Sequence, residues 1–181
     1  MENSIKNIKG SERSVEIPFT CESIKQYCLK DHSVLEVGGV PTTDSDYIPI
    51  RQTLQEVGCR YDICDFRGGT YRGDFVKYNF DKKFDVIMFI SSLEHFPQCT
   101  EGDLVFRKDE DRKGFEKALE ILNDKGKIIL TVPFGKPVWQ PYHQNYNMEK
   151  ILELSEGSKL LESFTYKLTD DGSTWNIEEP S

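Results

Sequence analysis

The residues of this chain best suited to chemistry are two histidines and a few carboxylates that stand where apolar runs end. His95 follows the run ending at Ile90, in Ser91-Ser92-Leu93-Glu94-His95-Phe96, and His143 follows a second run, in Trp139-Gln140-Pro141-Tyr142-His143. An imidazole with an ordinary pKa of about 6.5 is the natural general base for drawing a proton from a nucleophile near neutrality. His32 precedes an apolar run and so falls at the opposite end of any strand. Among the carboxylates, Glu36 is followed by Gly38 and Gly39. That pairing lets backbone approach a ligand closely while a carboxylate accepts hydrogen bonds from an ammonium or a water. Asp65, with Asp62 in reserve, ends the segment Tyr61-Asp62-Ile63-Cys64-Asp65, where an acid can accept both hydroxyls of a ribose. Gly73-Asp74-Phe75 offers a carboxylate beside an aromatic ring, a pairing suited to an adenine.

The elements that must position these groups alternate. Thr20 can cap a helix with Ile24, Tyr27 and Cys28 on one face, followed by a strand over Ser33–Val37. Ser45 can cap a second helix, with Pro49 in its first turn, Ile50, Leu54 and Val57 on one side, and Gly58 ending it. A strand from Cys59 to Phe66 precedes the glycine-rich segment Arg67 to Asp74. Phe84 to Ile90 is a continuous apolar strand. A helix over Asp111–Asn123, a turn at Asp124-Lys125-Gly126 and a strand from Lys127 to Val132 follow. Met148–Ser155 reads as helical and Leu160–Leu168 as a final strand. The charged run Arg107 to Lys113 reads as a solvated helix start. Helices alternating with doubly buried strands specify an α/β, Rossmann-like domain with a mostly parallel sheet and helices on both faces. Such a sheet binds ligands at the carboxyl ends of its strands.

Composition narrows the function. The length of 181 residues corresponds to one domain spanning 1–181, with a polar leader at 1–15 and a polar tail at 169–181. A formal net charge of −8 disfavours a nucleic-acid surface, which needs clustered cations, and favours a small-molecule substrate. No run reaches the roughly 18 apolar residues of a membrane span, and the first ten residues lack the apolar core of a secretion signal. The expected location is the cytoplasm. Five cysteines without a Cys-x-x-Cys pair read as reduced thiols, and no metal site is expected.

Four segments in order carry a resemblance: Leu35-Glu36-Val37-Gly38-Gly39; Gly73-Asp74; Phe84-Asp85-Val86-Ile87 leading to Leu93-Glu94-His95-Phe96; and Gly126-Lys127-Ile128-Ile129-Leu130-Thr131-Val132-Pro133. Together, over residues 30 to 168, they resemble a class I S-adenosylmethionine-dependent methyltransferase. Within that group the chain is similar to small bacterial methyltransferase-like proteins that accompany surface-saccharide synthesis. The resemblance implies S-adenosylmethionine as cofactor, with Glu36, Gly38 and Gly39 beside its methionine part and Asp65 on the ribose. It further implies Asp74 and Phe75 around the adenine, and backbone groups of Ile90 and Ser91 near the amino-acid end. Two departures stand out. The first turn continues Val40-Pro41-Thr42-Thr43 instead of supplying further glycines, and residues 66 to 83 are too few for a full helix plus strand. The third strand and its helix are therefore expected to be abbreviated. The closing antiparallel hairpin is expected to lack a strand, as if the C-terminus were truncated.

The resemblance implies methyl transfer by in-line displacement to a small polar acceptor such as a saccharide hydroxyl or a nucleotide-sugar, with His95 or His143 as base. Pro97 to Lys113, with Phe106, and Phe134 to Tyr146, with Trp139 and Tyr142, would face each other across an acceptor cleft. Two other classes compete. One is a nicotinamide-dependent oxidoreductase, disfavoured by the unmet Gly-x-Gly-x-x-Gly pattern. The other is a non-catalytic methyltransferase-like binding module. Oligomeric state is not legible.

Overall fold

The computed structural model describes residues 8–39, 45–98, 109–137 and 143–178. Val40 to Thr43, Cys99, Phe106, Trp139 and Tyr142, all weighed above, lie outside them.

The elements are β1 (Ile8–Lys9), α1 (Arg13–Tyr27), β2 (Ser33–Val37), α2 (Ile48–Val57), β3 (Arg60–Asp65), β4 (Tyr71–Arg72), β5 (Phe84–Ile90), α3 (Glu110–Ile121), β6 (Leu122–Thr131), α4 (Met148–Leu154), β7 (Thr165–Leu168) and β8 (Thr174–Glu178). Five strands form one parallel sheet in the order β4-β3-β2-β5-β6. This is the Rossmann-like α/β architecture expected from the alternation of elements. The order reverses at β2, so the switch point lies between β2 and β5, the crevice where such sheets receive ligands.

Period-two alternation along the strands divides the core in two. Leu35, Val37, Ile87 and Phe89 point toward Phe115, Ala118 and Ile121 of α3 and Leu154 of α4. Val34, Val86, Met88 and Ile90 point the other way, toward Ile17, Cys21 and Ile24 of α1 and Ile50 and Leu54 of α2. Each fully buried aliphatic side chain of this kind, such as Ile24 or Ile50, contributes about 1.5–3 kcal/mol.

Several boundaries differ from expectation. Helix α1 begins at Arg13, within the supposed polar leader, and runs through Pro18. Thr20 is not its cap; its hydroxyl donates to the Glu16 carbonyl one turn back. A proline reads as a break because it removes a backbone donor, yet burial of Ile17, Cys21 and Ile24 against the sheet holds the helix together. Ser45 opens a 3-10 turn over Ser45–Tyr47, and α2 starts only at Ile48. Gly58 ends α2 in the left-handed region at φ 84°, as anticipated.

The third strand is indeed brief: β4 pairs with β3 through only Cys64↔Tyr71 and Asp65↔Arg72. Helix α3 stops at Ile121 because Leu122 turns extended, at φ −80° and ψ 140°. The segment Asp124-Lys125-Gly126 is not a free turn but lies inside β6. The register there jumps from Phe84↔Leu122 to Val86↔Lys127, so the extra residues bulge out of the ladder.

The chain's last third corrects two further expectations. Only Thr165–Leu168 of the segment from Leu160 is a strand, and the polar tail supplies a partner for it, Thr174–Glu178. These two strands pair antiparallel, and β1 from the leader pairs with β8 at Ile8↔Trp175 and Lys9↔Thr174. The closing hairpin is thus present as a separate three-stranded sheet, in the order β1-β8-β7, while the main sheet ends at β6. Trp175 Nε1 donates to the Gly10 carbonyl (3.0 Å), joining leader to tail. No described helix is long and apolar enough to cross a membrane.

Candidate functional site

The carboxyl ends of β2 and β3 carry the first group of predicted residues. Gly38 follows β2 with φ 79°, and its N–H donates to the Cys64 carbonyl (2.9 Å), which sets it beside Asp65. A Cβ at Gly38 would lie 2.5 Å from Ser92 Cβ. One at Gly39 would lie 2.5 Å from the Glu36 carboxyl carbon. Gly38 is therefore required by its backbone and by the fixed Ser92 Cβ, whereas a side chain at Gly39 would press on the Glu36 carboxyl. Ser92 Oγ also donates to the Val37 carbonyl (2.6 Å), so the loop after β5 is fastened across the end of β2.

Glu36 is buried, accepts a hydrogen bond from the Tyr61 hydroxyl and lies near Arg51. Burial raises its pKa above the ordinary carboxylate value, while Tyr61 and Arg51 oppose that rise. Asp65, 8% exposed, accepts from the Arg67 backbone N–H (2.7 Å). Asp74 accepts from the Val76 N–H (3.0 Å) and pairs with Lys77 (3.1 Å). Asp62 sits three residues back from the tip of β3, opposite Leu35, and binds Lys82 (2.7 Å). By its place in the strand Asp62 does not stand at the carboxyl tip that Asp65 occupies.

Phe75 requires a correction. Its ring is 4% exposed and packs against Phe80, Phe89 and Phe96 at centroid distances of 5.6 to 6.1 Å. It is part of the core and presents no open face for an adenine. The sequence placed it beside Asp74, but only the packing of the Phe80–Phe96 cluster decides which way the ring turns. Tyr146, expected to line an acceptor cleft, is likewise fully buried. It belongs to a polar staple in which Gln144 Nε2 donates to Asp111 (2.5 Å) and to the Tyr146 hydroxyl (2.7 Å), while Lys150 donates to Gln144 (2.5 Å).

That staple matters to the histidines. The Gln144 N–H donates to the Glu94 carbonyl (3.3 Å), which fixes the segment carrying His143 against the 3-10 turn Leu93–Gln98 carrying His95. The two imidazole rings stand 6.4 Å apart, edge to face. Two residues 48 positions apart in sequence are thus brought to one place.

Both histidines line a cavity of about 980 Å³ that runs from the carboxyl end of β5 along the outer edge of β6, under α1. Ser91 lies on its wall. This residue has φ 43°, unusual for a non-glycine, and its N–H donates to Thr131 Oγ1 (2.9 Å). Ser91 Oγ donates to Glu16 Oε2 (2.7 Å), Thr131 Oγ1 donates to the same oxygen (3.1 Å), and Arg13 pairs with Glu16 Oε1. Ile90 is buried and paired in the sheet opposite Thr131.

Glu94 and Glu16, also on this cavity, escaped the sequence reading. Glu94 was visible only as a neighbour of His95, and Glu16 fell between the leader at 1–15 and the helix expected from Thr20. Burial pushes the Glu94 carboxyl up to about 8; its own backbone N–H opposes the push, Glu16 adds to it, and Arg13 and Ser91 oppose it. Among the described residues no group of three or more His, Cys, Asp or Glu side chains is arranged to hold a metal ion.

No protein-family model matches the chain, and no curated protein matches it. Among solved structures, DesVI of Streptomyces venezuelae is similar, with 12% identity and a TM-score of 0.49 over 72% of this chain. The match spans 55% of the DesVI chain. The class to which the protein belongs is thus defined by its own strand order: a Rossmann-like α/β protein.

Proposed function

We propose that this protein transfers a methyl group from S-adenosylmethionine to a small polar acceptor, with a saccharide as the acceptor class. The observation that carries this reading is the convergence of His95 and His143 in a cavity that begins past the carboxyl end of β5 and runs along β6, on the side of β5 away from the β2 tip. The Gly38 turn and Asp65 stand side by side at the adjoining strand tips and suit the amino-acid and ribose parts of the cofactor. Asp74 is near enough in the chain's path to border the adenine, but Phe75 does not contribute a stacking face. Glu36, buried beneath Gly39 with Tyr61 as partner, supports the turn from below.

When bound, the cofactor would supply an activated methyl group. The protein's task is then to orient the acceptor and remove its proton, and an imidazole at the cavity wall is suited to that. Calorimetric titration with S-adenosylmethionine and, separately, with NAD tests the reading. Binding of the former and not the latter is expected; the reverse result would overturn it. His95→Ala and His143→Ala should each keep cofactor affinity, and turnover should fall sharply in whichever variant loses the base. Full activity in both would remove histidine from the mechanism. Tight cofactor binding without turnover on a panel of glycans and nucleotide-sugars would favour a binding module instead.

A further inference from the structure

The cavity under α1 contains a carboxyl oxygen that the protein itself leaves unserved. Glu94 is 2% exposed and lines the cavity, yet its Oε2 atom has no hydrogen-bond partner among the described residues. Its other oxygen lies 4.0 Å from His95 Nε2. Leaving a buried acceptor unpaired costs stability, so such a group in a cavity calls for a partner from outside the chain or a role in chemistry. The neighbouring Glu16 shows the contrast. Arg13 serves one of its oxygens, and Ser91 and Thr131 serve the other, so both Glu16 oxygens are partnered.

We propose that this cavity is an ammonium-binding subsite, in which a protonated amine of the ligand donates a hydrogen bond to Glu94 Oε2 while Glu16 supplies a second negative charge beside it. The ligand chemistry follows from the inventory of the site. A neutral hydroxyl could satisfy Oε2 geometrically, but only a cation can replace the proton that burial keeps on Glu94, binding as that proton leaves and offsetting the charge of two adjacent carboxylates, of which Arg13 neutralises one. The charged groups facing Glu94 are Glu16 and Arg13 from α1, with His95 beside it in the chain and His143 from the stapled segment. Tyr146 is close enough to feel the Glu94 charge. This deepens the proposed function and rests on it: the acceptor is an amine-bearing saccharide.

The test compares D-glucosamine with D-glucose as probes, by calorimetry at neutral pH, where the amine is largely protonated and can exchange for the proton on Glu94. Glucosamine should bind the wild-type protein about tenfold or more tightly than glucose, the effect of one charge-assisted hydrogen bond. Glu94→Gln, checked for folding by its thermal transition, should lose that preference. Equal binding of the two sugars, or binding of neither, by the wild-type protein overturns the proposal without reference to any variant. Retention of the preference in Glu94→Gln overturns it too. A fall in S-adenosylmethionine affinity on Glu94→Gln would reassign the carboxylate to the cofactor's own ammonium and equally refute the acceptor subsite. Amine preference without S-adenosylmethionine binding would keep the subsite and refute methyl transfer; cofactor binding without amine preference would do the opposite.

Discussion

Glu94 concentrates the electrostatics of the site in one side chain. Its pKa in the fold, about 8, stands above the ordinary 4.5 of a glutamate because burial disfavours the anion. Between those two values the folded protein holds a proton that the unfolded chain has released. Stability therefore falls as pH rises through this window and levels off above it. Glu94→Gln, which cannot ionise, should abolish that slope and be more stable than wild type near pH 8, by up to a few kcal/mol. Urea unfolding of both proteins across the window measures this; parallel profiles would show that Glu94 is ionised throughout. Asp65 stands at the carboxyl tip of β3 and carries the proposed ribose contact. Asp65→Ala should weaken S-adenosylmethionine binding by about 1–3 kcal/mol through loss of a charged acceptor, as read by calorimetry. Unchanged affinity would remove the ribose role from Asp65. These residues differ in how far the sequence revealed them. Asp65, His95 and His143 were legible because each follows an apolar run. Glu94 and Glu16 were not, because their significance lies in mutual proximity across 78 positions of chain, which no local pattern encodes.

The turn after β2 and the loop after β5 act as one element. Gly38 adopts φ 79° and meets Ser92 at a distance that forbids a side chain, while Ser92 fastens itself to the Val37 carbonyl. Gly38→Ala should lower stability by about 1–2 kcal/mol from the left-handed backbone alone, with the Ser92 contact adding to it. Ser92→Gly in that background should recover the contact part but not the backbone part, a split that thermal unfolding of the single and double variants resolves. Full recovery would mean that the backbone conformation costs nothing. The strand cores were easily read from their unbroken apolar runs: Ser33–Val37 and Phe84–Ile90 match expectation residue for residue. Helix starts were harder. Arg13, Ile48 and Glu110 open helices in which no described side chain caps the first turn, so Thr20 and Ser45, chosen for their capping chemistry, marked the wrong places. Packing against the sheet sets those boundaries instead.

At the scale of the molecule, the charge of −8 sets the expectation that the protein does not bind duplex DNA at an ionic strength of about 0.15 M. An electrophoretic complex surviving that salt would contradict it. The two ends of the chain meet in the sheet β1-β8-β7, so the leader and the tail, which look inert as sequences, form a structure together. By itself the sequence determined the α/β class, the parallel strands and the strand tips where chemistry belongs, because those follow from local hydrophobic periodicity and from where each apolar run stops. Only the tertiary structure decided which residues share a site. It turned Phe75 and Tyr146 into the core, brought His95 to His143, and placed Glu16 and Glu94 around one cavity. Those outcomes depend on contacts between segments distant in the chain, where burial and electrostatic coupling are properties of the assembled fold.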